Sequence, residues 1–282
     1  MGNITPLLEV ENFSVSFSQY KSRFQKEKIQ VVKDFTLTVN ANEIVAVVGS
    51  SGSGKSLLAH GILGILPNNA TTSGKIKYKG QELTQKDKEK LRGREIALIP
   101  QSVNYLDPLQ TVGKQIASPL QKDKADIQGI LNRFQLSNDI ENKYPFQLSG
   151  GMARRVLIAT SLTSGANLII ADEPTPGLHA SVVEETLNTL RDLADSGCGI
   201  LMITHDIDLA FQIANKIAVF YDGRTLEVAD AKEFQFHPEK LKHPYSKALW
   251  HALPQNGFKC TTSEFEDDLI ADRFNGQSMG DL

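Results

Sequence analysis

From Leu7 to Phe17 the chain alternates apolar and polar residues (LLEVENFSVSF), and from Val31 to Val39 (VVKDFTLTV) it does so again after a basic insert at residues 20–29. A period of two puts every second side chain on one face, which predicts two antiparallel strands on a loop. At Ile44 the pattern changes to a continuous β-branched run, IVAVV, suited to a strand buried on both faces. A glycine-rich turn and then LLAHGILGIL at helical spacing follow it, giving strand, loop, helix. Residues 96–100 (IALIP) predict a second short strand. Between about 109 and 165 the pattern is helical, with Ile127, Ile130, Leu131 and Phe134 on one face, so a helical insert interrupts the sheet. Parallel-sheet strands return at Leu168–Ala171 and Gly199–Thr204, separated by the amphipathic helix VVEETLNTLRDLA, and an Asp222-Gly223 turn joins IAVFY to RTLEV. The architecture is α/β with an added β-edge. Beyond about residue 235 the pattern gives short helical pieces. After Pro254 it is polar and nonperiodic, so the last 25 or so residues are expected to be loosely held.

Composition narrows the class. The 282 residues, 40% hydrophobic, suffice for one sizeable core and a small appendage. Thirty Lys+Arg against 33 Asp+Glu leave a formal net charge of -3, so no overall field favours nucleic acid or anionic lipid. Cys198 and Cys260 are too few for a disulfide framework or a metal cluster, which points to a reducing cytosol. No window approaches a membrane span, so a membrane role must be borrowed from a partner. The opening Met1-Gly2 does not make a lipidation motif, because Pro6 stands where such a motif needs Ser or Thr.

The chemistry concentrates in two places. GSSGSGKS, residues 49–56, fits G-x-x-x-x-G-K-[ST] and lies between the buried strand and the helix. Glycines there let backbone N–H groups converge on phosphate oxygens, with the helix N-terminus adding its dipole. Lys55 supplies charge and the Ser56 hydroxyl can ligate magnesium. The predicted triphosphate cradle thus comprises Gly49, Ser50, Ser51, Gly52, Ser53, Gly54, Lys55 and Ser56, and continues into Leu57. In LIIADEP an apolar strand ends in Asp172 and Glu173, at the carboxyl edge where open α/β sheets bind ligands. Asp172 is expected to hold magnesium and Glu173 to polarise the attacking water.

LSGGM at 148–152 resembles the signature sequence of ABC ATPases. GSSGSGKS, Gln101 after a strand, LSGGM, LIIADEP and His205 after LMIT occur in that family's order and rough spacing over about residues 7–230. The resemblance implies an α/β P-loop ABC ATPase fold with a parallel-sheet core, an antiparallel β subdomain and an inserted α-helical subdomain. It implies boundaries of 6–235 for the nucleotide-binding domain, about 102–165 for its helical subdomain and 236–282 for a C-terminal extension. By resemblance, Gln101 senses magnesium and the channel, His205 contacts the γ-phosphate, and Ser149, Gly150 and Gly151 meet the nucleotide of a facing subunit. Phe17, rather than the nearby Tyr20, is similar to the aromatic residue that stacks on adenine. The chain departs from the family after EPT. It reads Pro176-Gly177-Leu178-His179 where a Ser-Ala-Leu-Asp loop is usual, leaving open whether one of the two ATP sites of a dimer is weakened.

HPYSKALWHALP (243–254) and LIPQSVNYLDPL (98–109) resemble the ATPases of the oligopeptide, dipeptide and nickel importers, and LSGGM resembles the first, D-type ATPase of that group. The resemblance implies ATP and Mg2+ as ligands and a peripheral position at the cytoplasmic face of the cell membrane. It also implies a heterodimer with a second ATPase, two membrane permease subunits, an extracytoplasmic binding protein acting indirectly, and no nucleic acid. Peptides are the first expectation for cargo, nickel or a metal chelate the second, and a regulatory, weakly hydrolysing half of an asymmetric pair is a further alternative. Many relatives carry a C-terminal cysteine cluster for iron and sulfur. This tail offers Cys260 alone, so no iron–sulfur cluster is expected, and His237, His243 and His251 lack companion ligands.

Overall fold

The computed structural model describes residues 5–22, 25–117, 127–162 and 165–256. Residues 257–282, with Cys260 and most of the tail expected to be loose, lie outside the described residues.

A six-stranded sheet carries the molecule. Its strands are β3 (Ile44–Val48), β6 (Ile96–Ile99), β7 (Leu168–Asp172), β8 (Gly199–Thr204), β9 (Lys216–Tyr221) and β10 (Arg224–Asp230), in the order β10-β9-β3-β8-β7-β6. All neighbours are parallel except β9 and β10, which the Asp222-Gly223 turn joins as an antiparallel hairpin. The five residues of β3 are all buried because alternate side chains enter two different cores. Ile44, Ala46 and Val48 point to one, Val45 and Val47 to the other. A continuous apolar run is therefore what a central parallel strand requires.

The second core is roofed by a four-stranded antiparallel sheet in the order β2-β1-β4-β5, made of β1 (Leu8–Ser22), β2 (Gln25–Val39), β4 (Ala70–Tyr78) and β5 (Gln81–Glu82). Phe35 of β2 meets Phe220 of β9 edge to face with ring centroids 5.8 Å apart, and the Lys33 ammonium lies 2.8 Å from the Asp222 carboxylate. The basic insert expected as a loop instead prolongs both strands, which stay paired as far as Ser22 and Gln25. Residues 27–30 are exposed. Cross-strand bonding satisfies that backbone while polar side chains remain in water, so an extended ribbon needs no apolar face there.

The sequence pattern is equally mute over β4 and α2 (Gln85–Leu91). Only Ile76 and Tyr78 of β4 are buried, and no residue of α2 is. A capping box between Thr84 and Asp87 starts α2. Lys88 and Gln85 then donate to the carbonyls of Gly61 and Gly64 at the end of α1 (Lys55–Leu63).

Between β6 and β7 stand α3 (Val112–Ile116), α4 (Ile127–Arg133) and α5 (Gly150–Leu162). Val112, Ile116, Leu131, Phe134, Ile140 and Val156 pack together there within the first core. The amphipathic helix expected at 182–194 is α6 (Ala180–Asp195), followed after β8 by α7 (Ile207–Ile213). The short pieces beyond residue 235 include the end of α8 (Ala231–Phe236) and α9 (Pro244–His251). They dock on the body of the molecule: Leu241 and Leu253 join the first core, as does Phe234 just before them, and the Trp250 indole N–H donates to the Gln235 carbonyl at 3.0 Å.

Candidate functional site

The carboxyl ends of β3, β6, β7 and β8 bring the candidates together. The glycine-rich loop leaves β3 at Gly49, where an added Cβ would sit 2.1 Å from the Phe220 carbonyl oxygen of β9, so only glycine passes. Gly54 (φ 98) makes the left-handed turn into α1, and a Cβ there would lie 3.1 Å from Val31 of β2. Lys55 opens the helix and is 4% exposed. Its ammonium donates to the Gly49 and Ser50 carbonyls at 2.9 and 2.6 Å. Burial lowers its pKa from the ordinary lysine value, and the Glu173 and Asp172 carboxylates counter that. A buried cation that donates to two neutral carbonyls and to the Ser53 hydroxyl is a fit for the oxygens of a polyphosphate.

The Ser56 hydroxyl donates to Asp172 Oδ1 at 3.1 Å across the gap between α1 and β7. Asp172 is 3% exposed, and burial raises its pKa above the ordinary carboxylate value. Two hard oxygen donors side by side suit a magnesium ion that brings its own phosphate and water ligands. The next residue, Glu173, is held with a left-handed φ of 46, its N–H donating to the Ile203 carbonyl of β8. That conformation is unfavourable for a residue with a Cβ and persists only where neighbours enforce it. The carboxylate is gripped from both sides. The Gln101 amide donates to Oε2 at 2.8 Å, and His205 Nδ1 lies 3.0 Å from Oε1. A carboxylate oxygen accepts here, so the contact calls for a proton on Nδ1.

One residue of this constellation escaped the sequence reading. Arg154 of α5 is 4% exposed and donates to the carbonyls of Pro100, Gln101, Glu173 and Pro174. A signal existed: Arg154 shares a helix face with the buried Leu157, Ile158 and Ser161, where a lone charge needs a reason.

Ser149, Gly150 and Gly151 sit apart from this group at the start of α5. Ser149 and Gly150 are exposed, and Cβ atoms added at either glycine would meet nothing within 4 Å. The Ser149 hydroxyl accepts from the Met152 N–H at 3.3 Å as a helix cap. Among the described residues no hydrogen bond joins these three to the other candidates. Phe17 is half-buried on β1 between Ile29 and Ala70 and packs against the second core, while the Tyr20 side chain lies outside the described residues. The departing loop at Pro176–His179 lies largely at the surface, beside a cleft of about 590 Å3 lined in part by Thr175, Pro176, Val183, Thr204, His205 and Leu209.

The remaining sequence candidates take local roles. His237 is near Glu239 at 3.2 Å on the surface, His243 caps α9 by accepting the Tyr245 N–H, and His251 meets the Trp250 ring edge to face. Cys198 is buried with its thiol pushed up to about 11, which leaves it un-ionised at neutral pH.

A buried strand, a glycine-rich phosphate loop opening a helix, and paired acids at the end of a nearby parallel strand define a nucleotide-binding protein of the P-loop class. The sequence profile described as ABC transporter matches residues 32–176. The oligopeptide transport ATP-binding protein OppD of Haemophilus influenzae is 33% identical over 267 residues, 89% of this chain and 80% of that protein. The dipeptide transport ATP-binding protein DppD of Bacillus subtilis is 30% identical over 90% of this chain and 80% of that protein. Among solved structures, the dimeric post-hydrolysis state of the ATP-binding cassette MJ0796 bound to ADP and Pi aligns with a TM-score of 0.68 at 26% identity, covering 79% of this chain and 98% of that one. The chain belongs to the ABC transporter family, as an ATP-binding subunit, and is an ATPase. The fold inferred from the motif order, with parallel core, antiparallel sheet and helical insert, is the one found.

Proposed function

We propose that this chain hydrolyses ATP to drive import of oligopeptides or dipeptides, working with a second ATPase subunit at the cytoplasmic face of the membrane beneath two permease subunits. An extracytoplasmic binding protein would deliver the cargo. The names of the relatives favour peptides over nickel or a metal chelate. Among the described residues no helix is long and apolar enough to cross a membrane, which supports a channel formed by other chains. We assign residues 6–235 to the nucleotide-binding domain, about 102–165 to its helical subdomain and 236–282 to the extension.

The observation that carries the reading is Glu173, gripped by Gln101 and His205 beside the Ser56–Asp172 pair. Residues 49–57 would cradle the phosphates, with Lys55 leaving its loop carbonyls for the phosphate oxygens. Ser56, Asp172 and the Gln101 amide oxygen would hold magnesium, which supplies charge neutralisation when bound with the triphosphate. Glu173 orients the attacking water and accepts its proton as the bond to the γ-phosphorus forms and the bond to the ADP oxygen breaks. His205, tied to Glu173 through Nδ1–H, would donate from Nε2 to the γ-phosphate as the imidazolium, in which both ring nitrogens carry protons. Phe17 would stack on adenine. Ser149, Gly150 and Gly151, exposed at a helix N-terminus, would meet the γ-phosphate of the partner ATPase's nucleotide, so that closure of the pair around ATP moves the channel. Tyr105 and Leu109, 53% and 85% exposed just after Gln101, are suited to receive a permease helix.

The test is ATP hydrolysis by the chain co-assembled with its permeases and partner ATPase, wild type against Glu173→Gln in this chain alone. A loss of about 1000-fold with ATP retained is expected. Little change would make this chain the regulatory half and move catalysis to its partner.

A further inference from the structure

Arg154 has a guanidinium that is buried without forming an ion pair among the described residues. Nε donates to the Pro174 carbonyl at 3.3 Å, Nη1 to those of Pro100 and Gln101 at 2.5 and 2.6 Å, and Nη2 to that of Glu173. These four acceptors lie just beyond the carboxyl ends of two strands, β6 and β7. In front, the Gln101 and Glu173 side chains are bonded to each other at 2.8 Å, and behind, one rigid planar group holds both their carbonyls. The left-handed Glu173 backbone needs such an anchor. Burial lowers the pKa of this guanidinium from the ordinary arginine value, and the nearby Asp172 and Glu173 charges counter it, so the cation is tied to the two acids as well as to the carbonyls.

The same helix begins with Gly150, four residues before Arg154, next to Ser149. We infer that Arg154 is a positioning residue that locks Glu173 and Gln101 to the signature helix, so that the carboxylate is aligned for hydrolysis only when α5 is correctly seated. The inference rests on Glu173 being the group that orients water. It predicts an effect on the chemical step rather than on nucleotide binding, because Arg154 touches the backbone behind Glu173 and not the phosphate loop.

The experiment is steady-state and single-turnover ATP hydrolysis in the assembled transporter for Arg154→Lys, Arg154→Gln and Glu173→Gln, and for each Arg154 variant combined with Glu173→Gln. Thermal melting and assembly are measured alongside. A lysine keeps the charge but cannot bridge both strand ends. Arg154→Lys should therefore lower kcat about 30-fold with KM for ATP within about twofold, and Arg154→Gln should lower it further. In the Glu173→Gln background the additional loss should be under about twofold, because the group being positioned is already disabled. Unchanged kcat in Arg154→Lys, or an equal 30-fold loss in both backgrounds, would overturn the inference. Failure of both single variants to assemble would overturn it as well, by making Arg154 a structural residue. Undiminished turnover of Glu173→Gln alone would instead remove the underlying reading of Glu173.

Discussion

The two edges of the candidate site satisfy their polar groups in opposite ways. Along the sheet edge Lys55, Asp172 and Glu173 are each no more than about a tenth exposed, and each is answered from within the chain, by loop carbonyls, by Ser56, and by Gln101 with His205. At the start of α5, Ser149 and Gly150 face solvent, and the space beside Gly150 and Gly151 is open. Charges held by their own neighbours keep their geometry in one chain, whereas exposed N–H groups at a helix end acquire a task only when an anion is brought to them. On the proposed reading, the first edge is the self-sufficient half of a nucleotide site and the second is a half that another subunit would complete.

Substitutions on the two edges should therefore behave differently. The largest effect is expected at the buried edge. Lys55→Ala removes the ammonium hydrogen-bonded to the loop and should lower kcat/KM for ATP about 1000-fold, with binding of a fluorescent ATP analogue to the isolated chain lost in parallel. Retained binding would break the assignment of the cradle. Ser149→Arg at the open edge should reduce turnover of the assembled pair about 100-fold while leaving analogue binding to the isolated chain unchanged. If both readouts fell together, the two edges would not be separable. Phe17→Ala should raise KM for ATP about 10-fold with kcat unchanged, and a GTP comparison would show whether the ring discriminates between bases.

The smallest effect concerns stability. Burial raises the folded-state pKa of Asp172 above its ordinary 3.8, so its contribution is fullest below that value and is lost as pH rises through the folded pKa. At neutral pH the ionised carboxylate is then a net cost to the nucleotide-free fold. Asp172→Asn should raise Tm there by about 2 °C, on the order of 1 kcal/mol, and the gain should vanish in acid. A lower Tm at neutral pH would mean that the bond from Ser56 and the attraction of Lys55 outweigh desolvation.

Legibility followed the range of the forces involved. The phosphate loop could be recognised because strand, glycines, lysine and helix are contiguous and each is a local requirement. Asp172 and Glu173 were readable because an apolar strand ending in two acids is conspicuous. Gln101 and His205 were reached through the order of motifs rather than through any local feature, since neither stands out until Glu173 is placed between them. The ribbon at residues 20–29, β4 and α2 were not visible, because each is held by backbone pairing or by caps and buries little of its own surface.

By itself the sequence determined the central strands, the glycine-rich loop between strand and helix, the acids at the sheet edge and the departure at Pro176–His179, all set by residue type and period within a few positions. Tertiary structure alone decided that Glu173 adopts a left-handed backbone between Gln101 and His205, and that Arg154 stands behind it. It also decided that the short helices beyond residue 235 close over the first core. Those outcomes join residues tens of positions apart through hydrogen bonds and packing, whose partners exist only once the sheet has brought its strand ends together.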